Sequence, residues 1–237
     1  MPALAMRGLV VFPNIVMHFD VARQKSVEAL KSALAGDRKI FLVTQKDIMV
    51  DDPKQKDLYQ IGVVAEIRQI LKAPDNITRV LVEGLYKAKL VNITSEDPYI
   101  ISEIKKLPNS SRSKIDSVEV TALIRAIKDV FEQYCSNMPK MPKELMNSVM
   151  GETDPEKLFD NIVFNVSLEP EDKQQLLEAQ NIISKLSLLV TMLSREAEVL
   201  DIERHIQDQV RQQIDKGQRD YYLREQLKVI SSQLGEE

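Results

Sequence analysis

Residues 61–91 read IGVVAEIRQILKAPDNITRVLVEGLYKAKLV, and the fold turns on the spacing of their apolar side chains. Ile61, Val63, Ala65, Ile67 and Leu71 lie on one side of a two-residue repeat, with Glu66 and Arg68 on the other. Alternate side chains of a strand point to opposite faces, so this period predicts a half-buried strand. PDNIT is a turn signal, and Val80 and Val82 then share a face. Gly84 predicts a bulge or bend, after which Tyr86, Ala88 and Leu90 line up against Lys87 and Lys89. Two such strands across a short turn pair antiparallel.

Working outward, GLVVFP (8–13) and NIVMHFDV (14–21) predict two short strands around Pro13, and KIFLVTQ (39–45) a further buried one. Between them ARQKSVEALKSALAG (22–36) places Val27, Leu30 and Leu34 on one helical face and meets a terminator at Gly36. Residues 1–108 are therefore expected to form a small, mostly antiparallel sheet with one helix, curled into a barrel that hides its edges. Polar residues 109–114 predict a linker. From 115 to 178 the period becomes helical: SVEVTALIRAIKDVFEQY carries a stripe of Val120, Leu123, Ile127, Val130 and Phe131. MPKELMNSVM, DPEKLFDNIVFNV and EPEDKQQLLEA follow as shorter helices, two of them with proline near the first turn, where its missing N–H is harmless. The fold class is α+β, a barrel followed by a helical bundle.

Residues 179–237 contain no proline, and apolar side chains recur at Ile182, Leu186, Leu189, Leu193, Ile202, Ile206, Val210, Ile214, Leu223, Leu227, Ile230 and Leu234. As one helix this segment would extend roughly 80 Å, beyond the reach of its own bundle. Gly217 is its weak point and the place for a kink. Such an arm needs a partner, either a coiled-coil copy or a domain further along a longer chain, and its steps of four do not keep a strict heptad.

Composition narrows the function classes. At 237 residues, 43% hydrophobic and 29% charged, the chain can bury a sizeable core. Its net charge is −4; residues 1–110 hold 16 basic and 13 acidic groups, and residues 111–237 hold 16 and 23. Neither half is basic enough for a phosphate-tracking surface, so nucleic acid is not the expected partner. One cysteine, Cys135, excludes an internal disulfide framework. With no leader-like start and no long apolar run, a cytoplasmic protein without a membrane span is expected. There is no GxxxxGK[ST] phosphate cradle. The SxxK pairs Ser102/Lys105 and Ser111/Lys114 are chance-level patterns, His18 and His205 stand alone, and Asp51–Asp52 before Pro53 reads as a loop. No catalytic residue, cofactor site or metal site is expected in this chain.

Four separated stretches, MRGLVVFPN (6–14), DVARQKSVEAL (20–30), the run from Asp51 to Leu85, and YYLREQLKVISSQLGE (221–236), resemble the amino-terminal region of the bacterial ATP-dependent Lon protease family. The match runs in order over essentially the whole chain; PDNIT, YKAKL and Gly217 depart from the usual pattern. The resemblance implies a PUA-like barrel, a helical subdomain, and a long helix leading toward an ATPase domain. It implies a hexamer that uses ATP and magnesium, with a Ser-Lys peptidase, in the full-length protein, and unfolded or damaged proteins as its clients.

Two groups are candidate client contacts. Arg23 and Lys25 stand at the start of the first helix, where the dipole disfavours cations, so they mark a contact or are simply solvated. Met138, Met141, Met146 and Met150 are interleaved with prolines; thioethers adapt to many apolar shapes, and the alternative is bundle core. Phe12, Met17 and Phe19 form a third group, with core the favoured reading. The competing function classes are a nucleic-acid-binding PUA-like module and a purely structural coiled-coil assembly arm.

Overall fold

The computed structural model describes residues 1–72, 77–108, 117–138 and 141–234. The elements are β1 (Ala3–Met6), β2 (Val16–Val21), α1 (Gln24–Ala35), β3 (Lys39–Thr44), β4 (Ile61–Lys72), β5 (Thr78–Ser95) and β6 (Ile101–Lys106), then α2 (Val118–Asn137), α3 (Lys143–Gly151), α4 (Pro155–Asn165), α5 (Pro170–Glu178) and α6 (Ile182–Leu234). The architecture is α+β.

β3 pairs parallel with β1 and antiparallel with β4, and β4 pairs antiparallel with β5. β5 is 18 residues long. Its second edge is divided: the first part takes β2 and the later part takes β6. β6 then returns to β1, where the Ala3 N–H donates to the Ile100 carbonyl at 2.9 Å and the Ser102 N–H to the Met1 carbonyl at 2.9 Å. These bonds close the ring β1-β3-β4-β5-β6, leaving β2 outside it as a flap on β5.

The strand pair at residues 61–91 forms as its spacing predicts, with one difference. Gly62, Val63, Val64 and Ala65 are all buried, and Leu71 is exposed. Burial on both faces arises because the ring has an apolar interior, formed by Ala3, Ala5, Phe41, Val43, Leu58, Val64, Ala88 and Leu90, and an outer face that the helices cover. The register shifts between Val64 and Ala65, opposite Gly84, and the bulge lies where glycine predicts it. A Cβ on Gly84 would stand 2.1 Å from the Phe12 carbonyl oxygen. The glycine lets residues 12–15 cross β5 closely, with the Asn14 N–H donating to the Gly84 carbonyl at 2.8 Å.

GLVVFP is not a strand. Residues 8–13 are an irregular crossing that buries Val10, Val11 and Phe12, with Gly8 at φ 61° and Asn14 at φ 62° at its ends. The first strand is instead Ala3–Met6, four consecutive buried residues with no alternation to reveal it. On α1 the buried residues are Ala29, Leu30 and Ala33, and Leu34 is exposed, so the packed face is turned from the expected one. Its end at Gly36 is as expected.

The helices pack against the outer face of the ring. Ser117 caps α2 by accepting from the Val120 N–H at 3.2 Å, and Asp154 caps α4 by accepting from Glu156 N–H at 2.9 Å and Lys157 N–H at 3.2 Å. Val120, Ile127 and Phe131 of α2 are buried, as their stripe predicts. Phe12 meets Phe159 of α4 edge to face at 6.0 Å, and one apolar cluster runs continuously from the barrel into the bundle. Lys87 of β5 reaches the end of α5, donating to the Leu177 carbonyl at 3.0 Å and the Ala179 carbonyl at 2.8 Å. Burial pushes that amine down to about 8.

α6 is a single helix of 53 residues and continues through Gly217. Ile182, Leu186, Leu189, Met192, Leu193 and Ala197 bury its first part, chiefly against α2. The Asn137 amide donates to the Ala197 carbonyl at 3.4 Å where the two helices part. Residues 201–224 are exposed without interruption, Ile202, Ile206, Val210 and Ile214 among them. The proposed linker, residues 109–114, lies outside the described residues.

Candidate functional site

A cleft of about 460 Å³ opens beside the start of α1. β1 supplies its apolar floor through Ala3 and Ala5, helped by Ile100 before β6. Its rim carries Arg7, Arg23 and Lys25 together with Asp51 and Asp52. α1 begins at this rim because Arg23 keeps extended backbone, φ −67° and ψ 132°, while Gln24 opens the helix. No side chain caps that N-terminus, and its first turn holds no acidic residue, so the positive end of the helix faces the cleft beside three cations.

The two cations singled out in the sequence are used differently. Lys25 Nζ pairs with Asp52 at 2.9 Å and Asp97 at 3.1 Å, and the hydrogen bond to Asp52 raises its pKa. Asp52 also holds Lys54 at 3.1 Å, whose amine reaches Glu96 at 2.6 Å. Arg7 holds Asp51 at 2.5 Å. These pairs tie the helix start to the loops around residues 52 and 97, and the Asp51–Asp52 dipeptide is a loop of fixed ion partners. Arg23 is different. Its Nη2 is shielded from solvent and has no hydrogen-bond partner. A shielded guanidinium nitrogen without an acceptor is costly to leave so, and the residue that carries it lines the cleft. The cleft therefore combines a cationic rim and an uncapped helix N-terminus with an apolar floor.

The methionines are not gathered into that cleft. All four are half-buried: Met138 and Met141 pack against the main core, while Met146 and Met150 lie on α3 outside that packing. Phe12 and Phe19 are core residues, and Met17 is half-buried against the same cluster.

The Ser102 hydroxyl donates to the Met1 carbonyl at 3.2 Å, and Lys105 is exposed three positions along the same strand, which places the two on opposite faces. Ser111 and Lys114 lie outside the described residues. His18 and His205 are exposed. Among the described residues no group of three His, Cys, Asp or Glu side chains stands close enough to hold a metal ion, and no helix is long and apolar enough to cross a membrane.

Residues 1–195 match the family model described as the ATP-dependent protease La (LON) substrate-binding domain. The chain belongs to the Lon substrate-binding domain family. Lon protease of Heliobacterium modesticaldum is 44% identical over 236 residues, covering 100% of this chain and 29% of that protein. Lon protease of Syntrophomonas wolfei is 43% identical with the same coverage. This Lon-family chain thus spans under a third of the length of the relatives it matches. A solved structure described as the N-terminal domain of Mycobacterium avium complex Lon protease superimposes with a TM-score of 0.65 at 21% identity, over 81% of this chain and 97% of that one. The Xanthomonas campestris Lon N-terminal domain protein gives a TM-score of 0.56 at 10% identity. The likeness of fold extends to that of other Lon N-terminal domains.

Sequence reasoning missed Arg7 and the β1 floor of the cleft, because neither the four-residue strand nor the Arg7–Asp51 pair has a local signature. Nor does the sequence show how the lysines of β5 and β6 part company. The fold sends Lys87 into the bundle, sets Lys106 over the Tyr86 ring at 4.5 Å, and leaves Lys89 and Lys105 side by side in solvent.

Proposed function

We propose that this chain is the client-engaging module of an ATP-dependent protease, holding unfolded or damaged polypeptide through the cleft beside α1 and through half-buried methionines. The family assignment carries the reading. The cationic rim and uncapped start of α1 over an apolar floor support it, since an extended client offers carbonyl oxygens and apolar side chains together. Affinity is expected to be micromolar or weaker, because ordering a flexible chain consumes much of the contact energy. In the full-length protein, a cytoplasmic hexamer, an ATPase using magnesium and a Ser-Lys peptidase would take over the client; none of that chemistry is assigned to residues of this chain.

The test is binding of native and denatured forms of one client. The denatured form should bind more tightly, Arg23→Ala should weaken it without changing the circular dichroism, and Met141, Met146 and Met150 changed together to Gln should weaken it further. Lys25→Ala should act through the ion network, lowering stability slightly. Equal binding of both forms, or of neither, overturns the proposal. A second reading, an assembly arm, is favoured by the exposed Ile202, Ile206, Val210 and Ile214 stripe of α6 and is compatible with the first.

A further inference from the structure

A second cleft, of about 790 Å³, lies between the segment 55–60 and the β5–β6 pair. Lys46, Lys56, Lys89 and Lys105 all line it, and among the described residues no acidic side chain does. All four lysines are exposed, and among the described residues none forms an ion pair; Lys46 Nζ donates only to the Lys56 carbonyl at 2.9 Å. Elsewhere on the barrel Arg7, Lys25, Lys54, Arg68 and Arg79 each hold a carboxylate. Glu103 is exposed two positions before Lys105 on β6 but does not line the cleft, and other nearby acids hold neutral donors or lie to one flank. Asp57 accepts from the Lys54 N–H, Glu178 accepts from the Gln174 amide, and Glu171 faces Tyr59.

Lys89 and Lys105 are directly opposed across the β5–β6 ladder. Like charges in that register repel and destabilise the pair, yet no intervening carboxylate relieves them. Between the lysines the floor is apolar, with Leu58 and Leu90 buried and Val91 49% exposed. Leu58 and Leu90 belong to the ring interior, so Val91 is the apolar side chain that the cleft exposes.

We propose that this cleft binds acidic, extended segments of polypeptide in which Glu or Asp alternates with apolar residues. The proposal rests on the client-engaging reading and adds a charge preference to it. Four ammonium groups of one sign in a chain of net charge −4 form a local field that attracts carboxylates. Exposed Val91 offers an apolar contact to the side chains between them. A nucleic-acid strand fits less well, because its bases need open aromatic faces and the cleft's one aromatic lining residue, Tyr59, is half-buried. Strand addition is closed as well, since the Gln55 amide donates to the Val91 carbonyl at 3.1 Å and its oxygen accepts from the Ile93 N–H at 3.1 Å, covering that edge of β5.

The experiment is fluorescence anisotropy with a short labelled peptide alternating Glu and Leu, its Gln-for-Glu counterpart, and oligo-dT of matching length. The wild-type chain should hold the acidic peptide about tenfold more tightly than the neutral one at low salt, the expectation for several exposed pairs acting together. The triple variant Lys56→Gln, Lys89→Gln, Lys105→Gln should lose that preference while melting no lower than wild type and binding a neutral denatured client as before. Equal binding of the two peptides, a preference that survives in the variant, or stronger binding of oligo-dT than of the acidic peptide overturns the proposal. If the neutral denatured client binds but acid gives no advantage, the charge preference alone falls. If neither client nor peptide binds, the client-engaging reading falls with it.

Discussion

Asp160 sits on α4 where the bundle meets the barrel, and burial pushes its carboxyl up to about 6, against the attraction of Lys185 and a hydrogen bond from Asn14. The folded chain therefore binds more protons at this group than the unfolded chain does between about pH 4 and 6. Its contribution to stability is fully present below the ordinary aspartate range and is lost as pH rises through about 6. At pH 7.5 the ionised group carries a desolvation penalty of roughly 3 kcal/mol if fully felt, and partial solvent contact screens this to about 1–2 kcal/mol. Asp160→Asn keeps the shape and one carbonyl acceptor for Asn14 while removing the charge. The variant should be more stable than wild type by about 1–2 kcal/mol at pH 7.5, and the difference should shrink toward zero near pH 3, below the ordinary aspartate range, where the wild-type carboxyl is protonated in both the folded and the unfolded chain. Urea unfolding of both proteins at the two pH values measures it, and comparing variant with wild type cancels the carboxylates that titrate the other way, such as Asp20 and Asp52. A destabilised variant at pH 7.5, or a difference independent of pH, would refute the reasoning.

Gly84→Ala should destabilise the fold by about 3 kcal/mol, since its Cβ would meet the Phe12 carbonyl oxygen at 2.1 Å and loosen the bonds to Asn14 and Ile15; thermal unfolding detects this, and an unchanged midpoint contradicts the crossing. Ending the chain near Ile202 should leave the fold intact and reduce concentration-dependent self-association, because the exposed aliphatic stripe of α6 supplies roughly 25 cal/mol for each Å² it covers; sedimentation of both lengths is the check, and identical distributions would count against the stripe.

Most of the secondary structure was legible because it rests on local spacing. β5 alternates over its first half, α1 ends at glycine, α4 and α5 begin at proline, and α6 runs without a proline. The position of Gly84 was enough to mark the bulge. Arg23 and Lys25 were locatable at a helix start from the same local rules, and the four motif stretches were enough for the family.

Which face of each element is buried, and which charges are satisfied, belonged to tertiary structure. A strand inside a closed ring is covered on both sides, so the alternation that reveals a half-buried strand disappears in Ala3–Met6 and in Gly62–Ala65. GLVVFP is apolar because a crossing is buried beneath α4, a cause that leaves the same local signature as a strand. Lys25 and Arg23, two positions apart, differ in that carboxylates more than 25 residues away reach only the first. Lys46, Lys56, Lys89 and Lys105 are scattered through 60 residues of sequence and become one cationic cleft only when β5 and β6 pair beside the segment 55–60. Periodicity is written in neighbouring residues, whereas charge pairing and convergence depend on distances that exist only once the ring has closed.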